Sequence, residues 1–266
     1  MKGETYMKNT KKLLVAVLAA LVAATPLFAI SGYEVMKQAH DKKTPLYTHT
    51  LVKMDLIDKD GTTQSRVMEE WSMDKDDKTS AVIVFKSPAS VKDTRFLQIE
   101  KDGGGTDKWI YLPSLKSTRR IASSEGDKSF MGSDATYDDM SGRELEDDDD
   151  ELLDESVKQG DYTCWRVKCT PKEDHPSKQY GYRIVYIDHG TNLPIREEGY
   201  DKQGKLLKVL DVQSIKNMGD YDIPMVNYLK NVQTDHATSL TITNIELDKT
   251  IPSKVFTQNF LNTGKI

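Results

Sequence analysis

The sequence predicts a mainly β fold (α+β in detail): one wide antiparallel sheet, curled on itself, with a few short helices. Three observations carry this. From Tyr47 onward apolar and polar residues alternate with a period of two. The alternating stretches, about ten to twelve of them, are each closed by a short polar turn. No Pro/Gly/Ser linker long enough to divide two cores interrupts them. A sheet that wide cannot stay flat, because strands twist, so it curls or closes. Its apolar face then packs solid, or keeps a hollow that accepts an apolar guest.

The first 29 residues read as an export signal. Lys8, Lys11 and Lys12 precede an unbroken apolar run of 12 residues, Leu13 to Ala24, and Pro26 breaks the run before Ala29. A helix crossing a bilayer needs about 20 such residues, so cleavage near Ala29 is the expectation. Leu27 departs from the small residue of an ideal cleavage site, which leaves a retained anchor as the alternative. No Cys follows the run, so the new N-terminus has no acceptor for bacterial lipid modification. Without residues 1–29 the chain holds 33 basic and 41 acidic residues, a formal charge of −8. That excess argues against a nucleic-acid surface and against lasting adhesion to anionic headgroups. Residues 30–266 are expected to form a single domain.

Ser31 with Glu34 three residues on makes a capping box, and Val35, Met36 and Ala39 give the following helix of about three turns its apolar face. Pro45 ends it. "THTLVKMDLID" then sets Val52, Met54 and Leu56 on one face of a strand. After the turn "DKDG", "RVMEEWSMD" places Val67, Trp71 and Met73 on one side. "TSAVIVFKSP", "TRFLQIE" and "KWIYL" continue the series, with "DGGG" as a hairpin turn. The second half repeats it in "YTCWRVKCTP", "YGYRIVYID", "LPIREEGYD", "GKLLKVLDVQSI", "DYDIPMVNYLKNV" and "HATSLTITNIELD", and "IPSKVFTQNFL" closes the chain as a short helix or turn. Between the halves lies a long interruption, 113–160.

Chemistry with a recognisable spacing is scarce. Cys164 and Cys169 sit five apart on one strand, on opposite faces and about 16 Å apart at roughly 3.3 Å per residue. A disulfide needs Cα atoms within about 7 Å, so two buried free thiols are expected. The five histidines fall in no HExxH arrangement and beside no GxSxG elbow. The acidic run "RELEDDDDELLDE", Arg143 to Glu155, lacks the Gly and alternating ligand spacing of a calcium loop and reads as a solvated charged face. No metal or cofactor is implied, and no enzyme.

The segment from Asp107 to Met140 is the most informative. It starts as a strand in which Trp109 and Tyr111 share a face, available to wall a hollow or to serve as ordinary core. It ends as a Gly/Ser-rich loop that nonetheless carries Phe130, Met131, Tyr137 and Met140. Apolar groups on such a loop need a surface to cover, since large exposed apolar patches are rare. Phe130 and Met131, flanked by Ser129 and Gly132, can lift on and off an apolar opening, or plug one end permanently as core.

In "KWIYLPSLKSTRRI", Lys108 to Ile121, and "SFMGSDATYDDM", Ser129 to Met140, the sequence resembles the outer membrane lipoprotein-sorting proteins, related to the periplasmic lipoprotein carrier LolA and its receptor LolB. "NLPIREEGYDKQGK", Asn192 to Lys205, and Ile251 to Leu261 support the match. The resemblance implies a half-open antiparallel β-barrel capped by helices over an apolar cavity for acyl chains. It also implies a periplasmic location and a handover partner of the RND/MMPL export-pump type. Val52, Met54, Leu56, Trp71, Trp109, Tyr111, Phe130 and Met131 are the candidate cavity residues, and Arg119 and Arg120, in the family motif, the candidate lid latch. Three functions follow for comparison. The first is a carrier of lipoprotein acyl chains or free lipid toward the outer membrane, with only transient membrane contact. The second is a non-carrying accessory subunit that docks on a pump through the acidic run. The third is a secreted hydrolase using scattered Asp and His, for which no spacing speaks.

Overall fold

The computed structural model describes residues 30–76, 78–102, 104–141 and 143–265. The export signal expected over 1–29 lies outside the described residues.

The capping box forms as read: Ser31 Oγ accepts from the Glu34 N–H and Glu34 Oε2 from the Ser31 N–H at 2.8 Å, opening α1 (Gly32–His40). Six strands then meander: β1 (Tyr47–Ile57), β2 (Thr63–Lys75), β3 (Lys78–Ser87), β4 (Arg95–Glu100), β5 (Thr106–Leu112) and β6 (Ser117–Arg120). Seven more follow: β7 (Asp148–Gln159), β8 (Tyr162–Pro171), β9 (Tyr180–Asp188), β10 (Pro194–Asp201), β11 (Leu206–Met218), β12 (Tyr221–Asn231) and β13 (His236–Leu247). A single 3₁₀ turn, Ser253–Phe256, and α2 (Gln258–Thr263) end the fold. Where hairpins turn tightly the chain uses the residues that can: Gly61 closes the β1–β2 loop at φ 84°, and Gly104 and Gly105 the β4–β5 loop at 92° and 78°.

All thirteen strands belong to one antiparallel sheet that does not close, in the order β6-β5-β4-β3-β2-β1-β13-β12-β11-β10-β9-β8-β7. The two meanders meet where β1 pairs β13, with Val52 opposite Ile242 and Met54 opposite Leu240. β6 and β7 are therefore the two opposite edges. They are also the two strands that the alternation pattern misses. β6 has four residues of which three are exposed, and β7 opens on the acidic run. Short and charged edges discourage pairing with another chain, and the same features erase the apolar alternation that marks a strand. The interruption expected over 113–160 accordingly shrinks to residues 121–147. That segment has to travel from one edge of the sheet to the other, and it does so across the inner face.

The inner face also receives α1, where Val35 packs on Val167, Cys169, Val185 and Ile187 at the β8–β9 end. The outer face of β2–β5 is covered by the C-terminal segment. Ile251, Val255, Phe256, Phe260 and Leu261 pack there on Val82, Val84 and Leu97. Cys164 and Cys169 are both fully buried and free, and they lie in different clusters as their offset requires. Burial pushes the Cys164 thiol up to about 11 and raises Cys169 further.

Candidate functional site

Curling leaves a hollow of about 960 Å³ between the inner face and the crossing segment. This is at the upper end of the range for small-molecule sites. Its wall changes character along and across the strands. On β1 and β2 it is apolar at one end, through Val52, Met54 and Met68, and polar at the other, through Thr48, Thr50, Glu70 and Ser72. Leu240 and Ile242 of β13 continue the apolar part. On the β9–β10 side the wall is charged, with Arg183 and Glu197.

The crossing segment closes the apolar end with two buried rings, Phe130 and Tyr137. Phe130, 1% exposed, sits 5.1 Å from Phe96, 6.0 Å from Tyr137 and 6.1 Å from Phe85, ring centre to ring centre. A small hairpin presents it: Ser129 bridges Thr136, the Phe130 N–H donates to the Ala135 carbonyl at 2.7 Å, and Met131 and Gly132 turn with positive φ. In this arrangement the loop is seated, with Phe130 in the apolar cluster.

Beyond that apolar cluster, which also takes in Ile121 and Met140, the segment is held by polar contacts. Arg66, on the inner face of β2, donates to the Met131 carbonyl, and burial lowers its guanidinium pKa. Asp134 accepts from Thr238 Oγ1 at 2.6 Å and lies 2.7 Å from His236 Nδ1. Asp139 takes Lys208 Nζ at 2.9 Å and the Tyr180 hydroxyl at 3.0 Å, and burial of Tyr180, added to the charge of Asp139, raises the Tyr180 pKa. Gln98 Nε2 donates to the Met140 carbonyl at 3.0 Å. At the far end Arg143 Nε meets both oxygens of Asp148 at 3.0 Å, and Arg183 joins Asp148 at 2.7 Å to Glu197 at 3.2 Å.

Several sequence expectations change here. Val52, Met54 and Phe130 line the hollow, while Leu56 and Met131 sit in the apolar cluster that adjoins it. Trp71, Trp109 and Tyr111 do not line it: they face outward and pack under the C-terminal segment. The reason is register. Met68 pairs Val52 and Trp71 pairs His49, so the β2 side chains on the inner face are the even-numbered ones. Arg119 and Arg120, the candidate latch, lie on β6 beside the start of the crossing segment. Arg119 pairs with Glu125 at 2.9 Å and Arg120 with Asp107, both local partners. The Ala122 N–H, Lys128 and Arg119 together hold the Glu125 carboxyl down to about 2. Arg66, by contrast, reaches the middle of the crossing segment at the Met131 carbonyl. The acidic run is not wholly solvated either, because Asp148 keeps 6% of its side chain exposed and is clamped by two arginines. Glu70 and Arg66 escape sequence reading for the same reason, since placing Trp71 inside turns both of them outward.

Residues 77–263 match the model of a family whose description reads "-like: Uncharacterized protein". The chain belongs to that family. No curated protein matches it. Among solved structures, an outer membrane lipoprotein-sorting protein domain from Vibrio parahaemolyticus is 26% identical with a TM-score of 0.81, over 87% of this chain and 98% of that one. A DUF1329 family protein from Desulfovibrio piger is 22% identical with a TM-score of 0.81, over 86% and 97%. A LolA superfamily protein from Nitrosomonas europaea is 16% identical with a TM-score of 0.66, over 87% and 100%. The resemblance read from Lys108–Ile121 and Ser129–Met140 is thereby borne out, and this member of the family has the fold of the lipoprotein-sorting and LolA superfamily proteins.

Proposed function

We propose that the protein is a periplasmic carrier that shields acyl chains, of a lipoprotein or a free lipid, in the hollow of its sheet on the way to the outer membrane. One observation supports this above the rest: a hollow of about 960 Å³, apolar along Val52, Met54, Met68, Leu240 and Ile242, covered by a segment that seats Phe130 and Tyr137 at that end. A core that existed only for stability would fill that volume, because interiors pack to crystal density. The export signal expected at 1–29 accords with the location.

The energetics suit reversible carriage. Acyl burial contributes about 0.8 kcal/mol per methylene, so a dozen shielded carbons supply on the order of 10 kcal/mol before entropic losses. Loading displaces Phe130 from its pocket, and the chain takes over the contacts the ring gives up. Release needs a membrane or receptor that offers comparable burial. Equilibrium binding of this kind calls for no catalytic residue.

Native mass spectrometry of protein purified from a membrane-containing host tests the reading. Lipid is expected to co-purify, to be lost when Phe130 and Met131 are both changed to Asp, and to be retained in Trp109→Ala, which alters only the outer face. An unaltered apo mass in folded wild-type protein, with no lipid taken up on incubation with vesicles, contradicts it.

A further inference from the structure

Glu70 stands apart from every other acid of the hollow. Asp139 has Lys208 and Tyr180, Glu197 has Arg183, and Asp147 has His175 Nδ1 at 2.8 Å. Even Glu69, next in sequence and on the outer face, is met by His49 and by Lys86 at 2.9 Å each. Among the described residues nothing donates to the Glu70 carboxyl, and Glu70 lines the hollow. Burial alone pushes its pKa up to about 7. Leaving a half-buried carboxylate without a donor is costly, and the protein provides one for each of its neighbours.

Its position is as telling as its solitude. Glu70 pairs across β1 with Thr50 and across β3 with Ile83. It therefore sits at the seam where the hydroxyl-bearing wall of Thr48, Thr50 and Ser72 gives way to the apolar one. A molecule with acyl chains against Val52 and Met68 brings its polar end to that seam.

We infer that the wall around Glu70 binds a primary ammonium group at the polar end of the amphiphile held in the hollow, a deepening that rests on the carrier reading. Two sources present that chemistry: the headgroup of an aminophospholipid and the free amine of a diacylated lipopeptide. The ammonium donates to Glu70, which becomes the ionised partner of a charge-assisted pair.

The mature protein is titrated with dioctanoyl phosphatidylethanolamine, its N-acetyl derivative, a diacylated lipopeptide with free or acetylated amine, and dioctanoylglycerol. Free-amine probes are expected to bind about tenfold or more tighter than their acetylated counterparts. Glu70→Gln, close to Glu in shape, should abolish that difference. A preference shown by one amine and not the other supports the inference and names the source. Equal binding of free and capped probes to the wild type overturns the ammonium site and leaves the carrier standing. Failure of every probe, dioctanoylglycerol included, overturns both.

Discussion

Strands β1–β5 are apolar on both faces, yet the two faces are finished in different ways. On the outside, Val255 and Leu261 are fully buried and Phe260 meets Trp71 edge-on at 6.0 Å, so the C-terminal segment is held by packing. On the inside the cover is residues 121–147, held by Ile121 and two rings, Phe130 and Tyr137, and by a series of polar clasps at Met131, Asp134, Asp139 and Met140. Packed apolar groups have no better partner in water. Polar clasps do, and a hydrogen bond exchanged with water keeps only about 1 kcal/mol of net stability. The difference teaches that an apolar strand face announces a cover, while the attachment of the cover decides whether it can leave.

The largest effect should come from the outer face. Phe260→Ala is expected to cost about 3–5 kcal/mol in denaturant unfolding and to leave bound lipid unchanged. A loss of lipid at full occupancy of the fold would erase the distinction between the faces. Hydrogen exchange sharpens it next. Amides of 129–140 should open several kcal/mol below the global unfolding free energy, while those of 255–261 track the global value. Uniform protection across both covers would make the inner one permanent core.

A third test uses the unpaired acid. Glu70 titrates near 4.5 unfolded and about 7 folded, so the folded state holds the proton between those values. Wild-type stability should then fall as pH rises through that window and level off above it. Glu70→Gln removes the slope and is expected to be more stable than wild type at pH 8, by on the order of 2 kcal/mol once water in the hollow screens part of the shift. The two should coincide near pH 4. Parallel stability curves for the two proteins would show that Glu70 has a partner. Smallest of all, Arg66→Met should lower the protection of residues 129–140 about tenfold, equivalent to one charged hydrogen bond, whereas Arg119→Ala changes global stability by no more than about 0.5 kcal/mol.

Much of the fold was legible before any coordinates. Period-two alternation located β1–β5 and β8–β13, and Ser31 with Glu34 located α1, because both signals are local. The edges β6 and β7 were not legible, since an edge strand is protected by the charges that hide it. The site was half legible. Phe130 stood out as an apolar group on a polar loop. The face of Trp71 depended on pairing register, and one wrong face carried Arg66 and Glu70 out of the hollow with it. The role of Asp148 depended on Arg183, 35 residues away in sequence, and a partner at that separation leaves no local trace.

The most direct test of acyl chains held on the inner face is photocrosslinking in cells from p-benzoylphenylalanine placed at position 130 or at position 260. Both positions hold a buried Phe, one in each cover. Lipid adducts from 130 and none from 260 are the expected result. Adducts from neither, or from both alike, would contradict the carrier account.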